Sequence, residues 1–313
     1  ENFNRTGKMK EVYATENVID ASILNSMMIR NNHSSSWRII VHITCLTVTL
    51  YLCSVAWETI WLYPLILLLG FLLATLFAPF HECTHRTAFK SRRLNLLVCA
   101  VTGTLIGFSW SAYRVFHFAH HANTQDPEKD PEILLDPFRL GVWPDTFMTW
   151  CSRLSGAGYL RLKLVGFLTC WSPGYIDGFA SSSTEARRET RVMSVGWLLA
   201  IISSFYLPHV FVPLLGGFVV SHLFLGLWLT AEHTGRPFEG SILERSRTLQ
   251  TNGILRYFLW NMNYHSEHHG WPGVPWHRLQ QFNSAIDAVG QVGNGYVDTY
   301  WSAYKRTRKK QLG

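Results

Sequence analysis

From Ile39 to Phe80 the chain carries one ionisable acid, Glu58, and neither Lys nor Arg; from Val192 to Ala231 it carries no Asp, Glu, Lys or Arg at all. A helix needs roughly 20 apolar residues to cross a bilayer, so each run has room for two crossings. A buried helix of a soluble protein accounts for roughly 10–14 such residues, not for runs of this length. The interruptions fall where helices would turn, at Trp57-Glu58-Thr59 and at Pro208-His209. Two transmembrane hairpins are expected, Ile39–Ala56 with Ile60–Phe80 and Val192–Leu207 with Val210–Ala231.

Charge placement orients them. Four crossings leave the two short turns on one face and all 28 Lys and Arg on the other, which the positive-inside rule makes cytoplasmic, together with both termini. The net charge of +7 and the basic tail Lys305, Arg306, Arg308, Lys309 and Lys310 suit an anionic inner leaflet; no nucleic-acid partner is expected. A cleaved signal peptide is not expected, because the first apolar run begins only at Ile39 and no small-residue cleavage site follows it. The six cysteines form no C-x-x-C pair and read as free thiols in a reducing compartment.

The polar chemistry lies at the ends of these hairpins. His81 and His85 follow the first; His117, His120 and His121 form a second cluster; His265, His268 and His269 repeat its spacing. Residues three and four apart share a helix face, so each cluster can aim its imidazoles at one point. Eight of the 14 histidines in three such clusters exceed what one tetrahedral zinc can use, and two metal ions are implied. Imidazole ligation suits iron, copper and zinc alike. His233, where the second hairpin ends, is a ninth candidate. Glu82, Glu232 and Glu267 each adjoin a ligand candidate and could orient one through its second nitrogen, or be solvated carboxylates.

The rest of the chain reads as connection within a single domain: a polar segment 1–38, the first hairpin 39–80, a cytosolic or interfacial region 81–191, the second hairpin 192–231, and a cytosolic region 232–313. Leu94–Trp110 is uncharged and could just span a membrane, but one crossing there would separate the histidine clusters; an interfacial or re-entrant helix keeps them together. Two Asp-Pro pairs in 123–132 predict a loop. Ser181–Glu185 predicts a helix start. Phe80, Trp110 and Trp260 are candidates for the mouth of a substrate site.

His81-x-x-x-His85, His117-x-x-His120-His121 and His265-x-x-His268-His269, in this order relative to the hairpins, resemble the three histidine boxes of the membrane fatty acid desaturase superfamily, which includes carotenoid hydroxylases and ketolases. The resemblance covers roughly Phe71–Leu279. It implies an all-α membrane protein with four transmembrane helices in two hairpins, interfacial helices and a cytosolic histidine-rich cap. It also implies two non-haem irons held by histidines, a further histidine after the last span at the position of His233, and O2 as co-substrate. Some relatives have an asparagine one turn before that histidine; here Leu229 stands there. The expected activity is removal of hydrogen from a lipid C–H bond, with no catalytic residue beyond the metal ligands. An acyl-chain desaturase is the first reading, and a carotenoid-ring hydroxylase or ketolase the alternative. No G-x-G-x-x-G after a strand and no C-x-x-C iron–sulfur pattern is present, so a separate electron donor such as ferredoxin, rubredoxin or cytochrome b5 is implied. A zinc-binding membrane transporter or receptor is the reading from another class.

Overall fold

The computed structural model describes residues 19–135, 139–286 and 292–312. The first part of the polar N-terminal segment therefore lies outside the described residues, as do the side chains of Lys309 and Lys310 in the basic tail.

The protein is mostly helical. In chain order the elements are α1 Ala21–Met27, α2 His33–Val55, α3 Leu62–Thr75, α4 Phe77–His85, α5 Arg92–Ile106, α6 Trp110–Asn123, α7 Pro131–Leu134, α8 Phe147–Leu154, α9 Ala157–Thr169, α10 Thr184–Ser204, α11 Pro208–His233, β1 Thr248–Gln250, α12 Gly253–Phe258, α13 His265–Gly270, α14 Leu279–Ala285, β2 Val292–Gly295 and α15 Tyr296–Leu312. The first turn falls where the charge break places it, with Glu58 in the left-handed region at φ 68°. α3 and α4 form one long rod interrupted at Leu76, because Pro79 has no N–H to give to the Thr75 carbonyl.

Among the described residues three stretches, His33–Val55, Leu62–His85 and Pro208–His233, are long and apolar enough to cross a membrane, and the bent pair α5–α6 makes up to four. α10 is not among them: Glu185, Arg187, Arg188, Glu189 and Arg191 occupy its first turns, and it ends at Ser204 rather than continuing to Leu207. Its later turns nevertheless leave Leu198, Leu199 and Ile202 exposed, an apolar outer face that continues into Phe205 and Tyr206. Ser183 caps its start as the serine run predicts, its hydroxyl accepting from the Ala186 N–H. Pro208 opens α11, where its missing N–H costs nothing.

The Leu94–Trp110 segment is helical to Ile106, turns at Gly107 with φ 75°, and restarts at Trp110, the two helices meeting at 98°. The bend sends α6 back toward the end of α4, where the first histidine cluster sits.

α11 packs on α3 through glycine. A Cβ at Gly70 would stand 2.5 Å from Val220 Cγ1, and one at Gly217 would stand 2.8 Å from Leu69 Cγ. The rods thus approach at close backbone range, as small residues allow between membrane helices. The buried His42 Nε2, 2.9 Å from the Leu72 carbonyl, ties α2 to α3. Beyond the rods, β1 and β2 pair in parallel, and Thr248 bridges to Tyr264, the residue before the third histidine cluster.

Candidate metal centre

Each histidine cluster lies on a helix end. His81 and His85 face inward from the last turns of α4, His117, His120 and His121 from the end of α6, His233 from the last residue of α11, and His265, His268 and His269 from the short α13. All are buried except His85, which is partly exposed.

The rings meet in two groups. One nitrogen from each of His81, His85, His117, His121 and His268 lies within 4.8 Å of the others; His120, His233 and His269 form a second such group. His265 joins the second through Nε2, 2.8 Å from His233 Nε2 and 3.1 Å from His269 Nε2, while those two lie 3.2 Å apart. Three imidazole nitrogens cannot satisfy one another in a triangle, because each offers either one proton or one lone pair and never both. A shared cation at the centre resolves the arrangement, and edges near 3 Å suit donors each about 2.1 Å from one ion. In the first group the buried His81 has no hydrogen-bond partner at either nitrogen. His85 Nε2 and His117 Nε2 approach to 2.7 Å. The residues present therefore fit two metal ions.

Burial, reinforced by neighbouring imidazoles, holds His265, His268 and His269 well below the ordinary imidazole range, which favours the neutral rings a metal needs. At His120 burial acts the same way but Asp130 and Glu132 outweigh it and push the ring up to about 9.

The outward nitrogens are held by a second layer. His120 Nδ1 meets Asp130 Oδ1 at 2.8 Å, His269 Nδ1 meets Thr124 Oγ1 at 3.1 Å, His233 Nδ1 meets the Arg245 carbonyl at 3.1 Å, and His117 Nδ1 meets Tyr113 Oη at 3.3 Å. Each contact holds a ring's orientation, and the Asp130 carboxylate and the Arg245 carbonyl, which only accept, place the proton of their rings on Nδ1. Of the three carboxylates singled out from sequence, Glu232 Oε1 lies 3.4 Å from His265 Nδ1 and Glu82 Oε1 lies 3.7 Å from His268 Nδ1. Glu267 turns the other way: it accepts from Thr248 and Asn283, holding α13 against β1 and α14. The cause is helical phase, since on α13 residue 267 points away from the face shared by 265, 268 and 269.

Sequence reasoning missed Asp130 and Glu132, reading their Asp-Pro pair only as a loop. The signal was available: Asp130 caps α7, Pro131 takes its first position and Glu132 lies in its first turn, a helix-start pattern. Phe80 and Trp260, expected at a substrate mouth, are fully buried; Trp260 packs on Trp276 and Phe80 on Tyr113. The small cavity against the centre is instead walled by Phe77, Tyr113, Trp228, Leu229 and Met262, with His81, His117, His120, His265, Glu132 and Glu232 at its polar end.

Comparison with known proteins adds to this geometry. The family described as fatty acid desaturase matches residues 29–301. A Delta(8)-fatty-acid desaturase of Euglena gracilis is 25% identical over 244 residues, covering 68% of this chain and 58% of that protein. A zeaxanthin 4-ketolase of Chlamydomonas reinhardtii is 27% identical over 216 residues, covering 67% of this chain and 41% of the other. A dihydrorhizobitoxine desaturase of Bradyrhizobium elkanii is 30% identical over 272 residues, covering 78% of this chain and 73% of its own. The chain thus spans about half the length of the first and the ketolase, and nearly three quarters of the last.

Proposed function

The chain belongs to the fatty acid desaturase family, and on that premise we propose that it is an O2-dependent non-haem di-iron oxidoreductase that removes hydrogen from a lipid C–H bond, introducing a double bond into an acyl chain. The observation that carries this reading is the convergence of nine buried or nearly buried imidazoles, from four separate helices, into two groups beside one small cavity with an apolar wall.

Two irons held there would supply the oxidant that an unactivated methylene requires and that side chains cannot provide. The protein's own residues do the rest. His81, His85, His117, His121 and His268 would hold one ion, and His120, His233, His265 and His269 the other. Asp130, Thr124, Tyr113 and the Arg245 carbonyl keep the rings aimed at the two groups. Phe77, Trp228, Leu229 and Met262 offer a methylene pair an apolar wall and exclude water from it. Overall, a CH2–CH2 pair, O2, two electrons and two protons would give CH=CH and two waters. The electrons would come from a separate carrier, such as ferredoxin, rubredoxin or cytochrome b5. The four-crossing topology with a cytoplasmic site belongs to the same proposal.

The ketolase relative favours one alternative, attack on a carotenoid ring. Expression in two hosts separates them, one with ordinary lipids and one accumulating β-carotene. New unsaturated acyl chains support the proposal; hydroxylated or ketolated pigment with an unchanged acyl profile overturns it. Metal analysis of protein from cells without overexpression separates both from a zinc-binding transporter or receptor: about two irons per chain is expected.

A further inference from the structure

His85 is the one ligand candidate that is partly exposed; the other eight are buried. Its Nε2 lies 2.7 Å from His117 Nε2 in the first group, and its ring also meets that of Phe118, with centroids 5.3 Å apart. Phe118 is exposed, as is Val115 three residues earlier on α6. Two rings in contact thus lead from solvent to the first group. Cations gather at this contact. The Arg114 guanidinium carbon lies 4.7 Å from the Phe118 ring centroid, and Nη1 donates to the Thr84 carbonyl, next to His85, at 2.8 Å. Arg86 and Arg92 are its charged neighbours. Lys90 and Arg93 flank Arg92 in the chain and are exposed. Among the described residues no carboxylate is within ion-pairing distance of these five groups. Glu189 accepts from Ser109 and Ser111 instead, at 2.8 and 3.0 Å. Local stability does not account for the patch either: Arg92 and Arg93 open α5, where the helix dipole disfavours cations, and no acid shares that turn.

We propose that Arg86, Lys90, Arg92, Arg93 and Arg114, set around Phe118, dock the acidic one-electron carrier protein that reduces the metal centre; this rests on the di-iron reading above. Each encounter oxidises one carrier by one electron, so two reduced carriers supply the two electrons of one turnover. The patch has the make-up of an interface, an exposed aromatic centre within a charged rim. Like charges held together repel until an anionic surface covers them, and such a rim acts mainly by speeding encounter and fixing register. A carrier whose redox edge lies on Phe118 is one ring away from His85. Anionic lipid headgroups also attract Lys and Arg, but they do not account for an exposed aromatic ring stacked between Arg114 and a ligand candidate.

The test measures binding of ferredoxin, rubredoxin and cytochrome b5 to the chain in detergent, both iron-loaded and iron-free. Wild type is compared with the triple variant Lys90→Glu, Arg92→Glu, Arg93→Glu. These side chains are exposed, and acids in the first turn of α5 suit its dipole, so the variant should fold. The control is Lys305→Glu, Arg306→Glu, Arg308→Glu, an equal charge change on the basic tail. For the carrier that binds wild type most tightly, the first triple should raise Kd about tenfold or more and remove most of its salt dependence, while the control stays within about twofold. A carbodiimide, which joins carrier carboxylates to lysine amines, should link the carrier to Lys90. Equal Kd in wild type and the first triple, equal weakening by both triples, links confined to the tail, or no binding of any carrier to wild type would each overturn the docking surface. So would unchanged carrier binding with reduced retention on phosphatidylserine vesicles, which would assign the patch to lipid. With about two irons per chain, any of these outcomes leaves the di-iron reading intact. A wild type that takes up no iron removes that reading, and electron delivery with it.

Discussion

Asp130 holds His120 from behind: Oδ1 lies 2.8 Å from Nδ1, both groups are buried, and the other oxygen accepts from the Gln125 backbone N–H, also at 2.8 Å. The aspartate is thus clamped by the chain before it meets the imidazole. Asp130→Asn keeps most of the shape but weakens the charge-assisted bond and the imidazole's basicity. Iron affinity is expected to fall about 10- to 100-fold, read by competition against a calibrated chelator.

Removal of a ligand is more severe than removal of its support. Alanine at His81, His85, His117, His120, His121, His233, His265, His268 or His269 is expected to abolish turnover while leaving an inserted protein, since α2, α3 and α11 pack without these side chains. His33→Ala and His277→Ala are the controls; His277 instead meets Asn31 at 3.1 Å, at the surface side of α2. Near-normal product formation by His120→Ala would refute the proposed ligand set.

Gly156 begins α9 at φ 65°, and a Cβ there would stand 1.8 Å from the His222 carbonyl oxygen of α11. Backbone cannot step aside as a side chain can. Gly156→Ala is expected to cost about 3 kcal/mol or more, combining overpacking with left-handed strain. Gly174→Ala shares the positive φ, at 71°, but has open space around it, and should cost only about 1 kcal/mol. Detergent melting temperatures and monodisperse yield rank the two; an equal loss would contradict the contact.

Asp177 gives a pH dependence of defined sign. Burial pushes its carboxyl up to about 6, although the backbone N–H groups of Ser181 and Phe179 partly counter this. With the folded value above the unfolded one, the folded state holds its proton longer, so stability declines as pH rises from about 4 to about 6 and is level above. The difference amounts to at most about 3 kcal/mol. Asp177→Asn retains the accepting oxygen and removes the ionisation. Its melting temperature relative to wild type should therefore rise between pH 4.5 and 7; a constant difference would show that Asp177 does not titrate this way.

Topology is tested by single-cysteine labelling in a cysteine-free background. Probes outside intact cells are expected to reach positions near Glu58 and Pro208 but not near Asp126. Strong labelling at Asp126 would break the shared cytoplasmic placement of the histidine clusters.

The local arrangement was legible in the sequence. Charge-free runs marked α2, the α3–α4 rod and α11, because no partner in a bilayer offsets a stray charge; spacings of three and four put His117, His120 and His121, and His265, His268 and His269, on common faces. Glu58 and Pro208 marked turns for equally local reasons. Tertiary structure alone decided which rings come together, since that depends on the bend at Gly107 and on β1 carrying α13 back to the ends of α4, α6 and α11. It also decided what stands behind and beside the rings. Asp130 and Glu132 follow His120 by ten and twelve residues, outside any helical period, and become its neighbours only because the chain reverses between α6 and α7. Glu267, adjacent to the ligand candidate His268 in sequence, is turned away by the pitch of its own helix. Adjacency along the chain fixes direction within an element, whereas contact between elements is set by where the backbone turns.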